Sequence, residues 1–204
     1  MSGDKIIPMS YGLTHLHTGV TPPRLGNIIA YSFFVHEFPG AFAEVGVFKG
    51  GTLELLAKCH PNRKIYGIDS FEGLPAPSEF DTHHERDFEL SVKEYEDTRL
   101  FFAEHHPNVE ILKGFAPDVF SKLPIDQRYG FLHFDVDLYQ SVKDCLDYFY
   151  PRMYDGGNIV CDDWEYRTTP GAKKAILECD YKFSWRGPAS FGHDYFCGQY
   201  VFVK

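Results

Sequence analysis

The chain has 204 residues, 44% of them hydrophobic and 24% charged, enough for one globular domain with a sizeable core. Lys and Arg number 20 against 29 Asp and Glu, a formal net charge of −9, which argues against a nucleic-acid footprint and against binding to anionic membranes. No apolar run approaches a membrane span, and the first residues hold no apolar stretch of signal-peptide length, so the expectation is a cytoplasmic protein. Five scattered cysteines, Cys59, Cys145, Cys161, Cys179 and Cys197, read as reduced thiols. The 19 Phe and 13 Tyr predict a thick aromatic core, an aromatic-lined pocket, or both.

Residues 1–40 read as an N-terminal extension and helix. An irregular start ends in Thr21-Pro22-Pro23, and Leu25, Ile28, Ile29 and Phe33 then recur at helical spacing over 24–38, closed by Pro39-Gly40. Strands are expected at 41–48, 64–68, 109–112, 129–134 and 158–161, with helices at 52–59, 141–153 and 171–179. Segments 181–185 and 195–203 read as a closing hairpin with no helix between. Strand–helix alternation implies parallel strands joined by right-handed crossovers. The expected fold is one α/β domain over 1–204, a doubly wound, mostly parallel seven-stranded sheet with a C-terminal antiparallel hairpin. Residues 76–97 break the rhythm: 79–97 hold eight acids and two bases. They read as a solvated loop leading into a helix or, functionally, as a lid over a ligand site.

Three places carry chemistry. In AEVGVFKGGT (43–52) an apolar strand enters a Gly-rich turn and a helix, at the edge where open parallel sheets bind ligands. Its spacing does not suit a nicotinamide dinucleotide, whereas Glu44 just before Gly46 suits an S-adenosylmethionine (SAM) site. In IYGIDSFEGLP (65–75), Asp69 closes the second strand, placed to accept hydrogen bonds from two ribose hydroxyls, and Phe71 is placed to lie against an adenine. Two later apolar strands then end in paired acids, Asp135 with Asp137 and Asp162 with Asp163. Asp135 and Asp137 project from one side if the strand stays extended. Four converging carboxylates demand protonation or a cation, and a hard oxygen set favours Mg²⁺, with Mn²⁺ or Ca²⁺ as alternatives. The pairs His15/His17, His83/His84 and His105/His106 have no metal-ligand pattern and read as surface or loop residues. His133, mid-strand, reads as a hydrogen-bonded core residue.

Together these stretches, with FDVDLYQS through CDDW (134–164) and PGAKKAI (170–176), resemble the macrocin O-methyltransferase family, SAM- and magnesium-dependent enzymes that methylate sugar hydroxyls on natural products. The resemblance implies a Rossmann-like class I methyltransferase fold. It implies Asp135, Asp162 and Asp163 as metal ligands and Asp137 as general base. Glu44, Gly46, Gly50, Thr52, Asp69 and Ser70 would contact SAM, with Gly114 and Phe115 bordering the adenine. The acceptor would be a small-molecule hydroxyl, a sugar, glycoside or other diol, and a homo-oligomer is compatible with it. The first turn and the metal acids are also similar to those of catechol O-methyltransferases, but the Lys base of those enzymes falls on Leu138 here. The reduced N-terminal part leaves substrate and oligomer unassigned. Trp164 and Tyr166 are candidate acceptor walls, with Trp185 and Phe191 as weaker ones. The rival readings are a magnesium-dependent phosphatase or glycosyltransferase using D-x-D, and a SAM-binding protein without catalysis. The first two leave the Glu44 and Asp69 pairing, or the short gap between the acid pairs, without a reason.

Overall fold

The short apolar runs form strands and the stretches between them form helices in the computed structural model, which describes residues 13–164, 166–189 and 198–204. The strands are β1 (Ala41–Val45), β2 (Ile65–Asp69), β3 (Val109–Lys113), β4 (Tyr129–Phe134), β5 (Met153–Cys161), β6 (Trp185–Pro188) and β7 (Tyr200–Val203). The helices are α1 (Pro22–Phe34), α2 (Gly51–Cys59), α3 (Val92–His105), α4 (Tyr139–Phe149) and α5 (Pro170–Leu177). The sheet order is β3-β2-β1-β4-β5-β7-β6. Its first five strands are mutually parallel, and β7 runs antiparallel to both β5 and β6.

Every residue of β1 and β4 is buried, as befits strands covered on both faces. Alternation divides their side chains between two cores. Ala43, Val45, Leu132 and Phe134 pack with Val142 and Leu146 of α4 and with Ala172 and Ile176 of α5. Phe42 and Phe131 point the other way, onto Leu25 and Ile28 of α1 and Leu53 and Leu56 of α2. The chain leaves β1 for β2 and β3, then returns to β4 on the other side of β1. That reversal opens a crevice at the C-terminal ends of β1 and β4.

Several boundaries differ from the sequence expectation: α1 ends at Phe34 rather than 38, and β1 ends at Val45 rather than 48. The helix expected to reach residue 153 stops at Phe149, because Pro151 has no amide hydrogen to continue it, and β5 starts at Met153. The first hairpin strand is β6, later than 181–185. Tyr181 instead stacks on Tyr150 and Phe183 packs on Phe202, so their alternation serves packing. Residues 195–197 of the other expected strand lie outside the described residues. The polar segment gives way to α3 at Val92, where Ser91 and Glu94 form a reciprocal capping box.

Candidate active site

The crevice holds a cavity of about 360 Å³. At its floor β1 turns at Gly46, with φ +90°, where a Cβ would sit 1.9 Å from the Asp135 carbonyl oxygen. Only Gly lets the ends of β1 and β4 come this close. Asp69 closes β2, and its carboxylate accepts from the Phe48 amide at 2.8 Å and the Phe71 amide at 2.6 Å. Phe48, Phe71, Asp137 and Asp163 all carry positive φ values, 50°, 55°, 57° and 71°. Such strained backbone gathers at sites the surrounding structure over-determines.

The acid pairs do not behave alike. Asp135, Asp137 and Asp163 each offer an oxygen within 4.8 Å of the others, and all three line the cavity. Strand alternation does not bring Asp135 and Asp137 together. β4 ends at Phe134, and a tight turn, in which the Leu138 amide donates to the Val136 carbonyl at 2.5 Å, swings Asp137 back. Burial and the Asp135 carboxylate push Asp137 up to about 8. Burial and Asp137 push Asp163 to about 8 as well, and Asp135 rises through burial and the charges of Asp163 and Asp162. Three oxygen donors that resist simultaneous ionisation fit a hard divalent cation, whose charge removes the repulsion.

Asp162 stands outside this group. It has the parity of Val160, which packs on the α1 face. There its Oδ1 accepts from Arg24 Nε at 2.5 Å, and its Oδ2 is 2.7 Å from His133 Nε2 and 3.1 Å from Gln199 Nε2. Burial opposes its charge, but Arg24 and His133 outweigh that and hold its pKa low. His133 also meets Glu44 through Nδ1 at 2.9 Å. Burial works against its imidazolium, yet the two flanking carboxylates raise it to about 10. His133 is thus the hydrogen-bonded core residue expected.

Among the expected SAM residues, Gly46, Thr52, Asp69 and Ser70 line the cavity, as do Gly114 and Phe115. Glu44, Gly50 and Phe71 do not. Glu44 is 1% exposed and turned to the α1 face, Gly50 caps α2 beneath Leu16 and Phe102, and Phe71 packs on Tyr95. Trp164 is buried against Tyr200, away from the cavity. Tyr166 lies 5.2 Å from the Arg24 guanidinium, Trp185 is exposed on β6, and Phe191 is outside the described residues.

Several wall residues escaped the sequence reading. Thr18, Val20 and Arg24 come from the N-terminal segment, Leu74 just precedes the polar segment, and Phe88 lies within it. The His17 carbonyl accepts from the Gly51 amide, and Thr18 Oγ1 meets Thr52 Oγ1 at 2.8 Å, so the segment folds over the start of α2. The one signal for Arg24 was a cation beside Leu25, where the helical apolar spacing begins. The polar segment lies against the site: Asp81 accepts from the Tyr139 amide at 2.9 Å, Thr82 Oγ1 donates to the Thr168 carbonyl at 2.7 Å, and His83 reaches within 3.6 Å of Asp137. Among the described residues no helix is long and apolar enough to cross a membrane.

The sheet order and the crevice are those of the Rossmann-like class I methyltransferase fold. Calicheamicin methyltransferase CalS11 shares the fold at TM-score 0.72 and 19% identity, over 89% of this chain and 78% of that one. The chain belongs to the macrocin O-methyltransferase (TylF) family, whose pattern matches residues 17–183. It is 32% identical to demethyldecarbamoylnovobiocin O-methyltransferase of Streptomyces niveus, over 82% of this chain and 69% of the relative. It is 29% identical to 8-demethyl-8-(2,3-dimethoxy-alpha-L-rhamnosyl)-tetracenomycin-C 4'-O-methyltransferase of Streptomyces olivaceus, over 80% and 72%. Family membership sets the phosphatase and glycosyltransferase readings aside.

Proposed function

We propose that this enzyme methylates a hydroxyl of a sugar or glycoside in the cytoplasm, at a divalent-cation site, with Asp137 as general base. The observation that carries the reading is the convergence of Asp135, Asp137 and Asp163 on the cavity that Gly46, Asp69 and Gly114 also line. Asp69 would accept hydrogen bonds from a ribose, and Gly114 and Phe115 would flank an adenine. Bound SAM supplies the methyl group on its sulfonium. Asp135 and Asp163 would hold the cation, and Asp162 would join them by exchanging Arg24 for it. A cation there supplies positive charge that favours loss of the hydroxyl proton and keeps Asp137 ionised. Asp137 would accept that proton as the carbon–oxygen bond forms and the methyl–sulfur bond breaks, the sulfur leaving as a neutral thioether. The walls hold oxygen and methyl carbon in line and exclude water. The names of the relatives, one of them acting at the 4' position of a rhamnosyl group, support a sugar hydroxyl as acceptor. Residues 76–97 act as the lid, with Phe88 against the cavity.

The test is methyl transfer from labelled SAM to methyl α-L-rhamnoside, other glycosides and catechols, with Mg²⁺ and with excess EDTA. Activity on a glycoside that EDTA removes and Mg²⁺ restores is expected. Full activity in EDTA would refute the cation, and transfer to catechols alone would refute the acceptor class.

A further inference from the structure

His83 stands between two carboxylates. Its Nδ1 is 3.2 Å from Asp87 Oδ2, and its Nε2 is 3.6 Å from Asp137 Oδ1. That Nε2 is buried and has no hydrogen-bond partner, although an imidazole nitrogen removed from water normally finds one. The ring is held in place. It packs on Phe88, with centroids 5.5 Å apart, and Phe88 packs on Phe48. Asp87 is fixed in turn, accepting from the His84 amide at 2.8 Å. The main chain here is pinned to the strand-end turn: the Leu74 amide donates to the Asp87 carbonyl and the Arg86 amide to the Leu74 carbonyl. At Gly73 a Cβ would sit 2.6 Å from the Arg86 backbone, so only Gly permits this approach.

We propose that His83 is a positioning residue for the methyl transfer, its Nε2 fixing the Asp137 carboxyl toward the acceptor oxygen while Asp87 fixes the ring. The distance of 3.6 Å lies just outside hydrogen-bond length, and such contacts commonly tighten only when substrate is bound. Nε2 carrying a proton would donate to the ionised Asp137 carboxylate. Asp137 sits on a strained turn, so its carboxyl needs a fixed partner to hold one orientation. The arrangement repeats the general logic of a base oriented by a second group and that group by a third. This inference rests on the proposed role of Asp137.

Two experiments test it. His83→Phe keeps the ring that packs on Phe88 and removes both nitrogens. With methyl α-L-rhamnoside as acceptor, kcat should fall about 100-fold, the scale of a misplaced reacting group. SAM affinity by calorimetry and the melting temperature should stay at wild-type values. His83→Gln, whose amide reaches toward Asp137, should recover at least about tenfold of that loss, a rescue that ring packing alone cannot give. Turnover of His83→Phe within about twofold of wild type would overturn the proposal, as would a loss that Gln does not relieve. The second experiment needs no acceptor. In ¹⁵N spectra of the histidine rings, with His83 assigned from its disappearance in His83→Phe, Asp137→Asn should shift the His83 Nε2 resonance. An unmoved resonance overturns the proposal even if methylation is found. A moved resonance supports it even if the glycoside proves to be the wrong acceptor, so the two readings fail separately.

Discussion

Replacing Arg24 with Met tests how the buried charges are balanced. Arg24 has a side chain only 11% exposed, and its guanidinium donates to Asp162 through Nε and Nη2 and lies 4.0 Å from Asp135. Met fills similar space without the charge. Removing one partner of a buried pair typically costs about 3–5 kcal/mol. Asp162 would keep His133 and Gln199, which places the expected loss at the lower end, about 3 kcal/mol. For a chain of this length each kcal/mol moves the melting temperature by about 2–4 °C, so the shift in EDTA should be roughly 6–12 °C. The Asp162→Asn change in the Arg24→Met background should cost less than in wild type, because one partner of the charge it removes is already gone. Calorimetric melts in EDTA and in millimolar MgCl₂ read this out. Mg²⁺ should stabilise Arg24→Met more than wild type, since the freed Asp162 carboxylate becomes available to the ion. A shift under about 2 °C in EDTA would refute the balance described. An equal Mg²⁺ effect on both proteins would refute the exchange of Arg24 for the cation.

Asp137→Asn should lower turnover by about 10²–10⁴-fold, the usual range for a general base, while SAM affinity by calorimetry stays unchanged; wild-type turnover would remove Asp137 from the mechanism. Glu54 predicts an acid limb in stability. Burial opposes its charge, but Lys58, the Leu16 and His15 amides and the His15 ring outweigh that and lower its pKa from 4.5 to about 2. A carboxylate depressed in the folded state stabilises above its unfolded pKa and loses that stabilisation as pH falls through the folded one. The contribution is therefore full above 4.5 and gone below about 2. Melts across that window should show Glu54→Gln with a shallower pH dependence than wild type; parallel curves would show that Glu54 does not tie residues 15–16 to α2.

Much of the fold was legible because strand burial and turn chemistry are local. The apolar runs that became β1, β2, β4 and β5 needed no partner to be recognised, and Gly46, Asp69 and the two acid pairs marked the ligand edge because strand ends in a parallel sheet share one rim. The 181–185 segment misled because Tyr181 and Phe183 alternate like a strand while packing on Tyr150 and Phe202. The histidine pairs offered no ligand spacing, and that spacing is blind to a contact such as that of His83 with Asp137, 54 positions further along.

What the sequence determined by itself was therefore the alternation of elements and the rim on which the chemistry sits, both set by local periodicity and by residues whose backbone demands are local. Which of two adjacent carboxylates enters the cavity was decided only by tertiary structure. Asp162 and Asp163 are chemically identical, yet the chain leaves β5 at Cys161 and turns at Asp163, with φ +71°, so the element waiting beside each sets its fate. α1 brings Arg24 to meet Asp162 from 138 positions away, while Asp163 meets Asp135 and Asp137 across the crevice. Glu44 follows the same rule: its parity with Phe42 on β1 carries it to the α1 face and to His133, so a residue that reads as a cofactor contact becomes part of the buried support beneath the site.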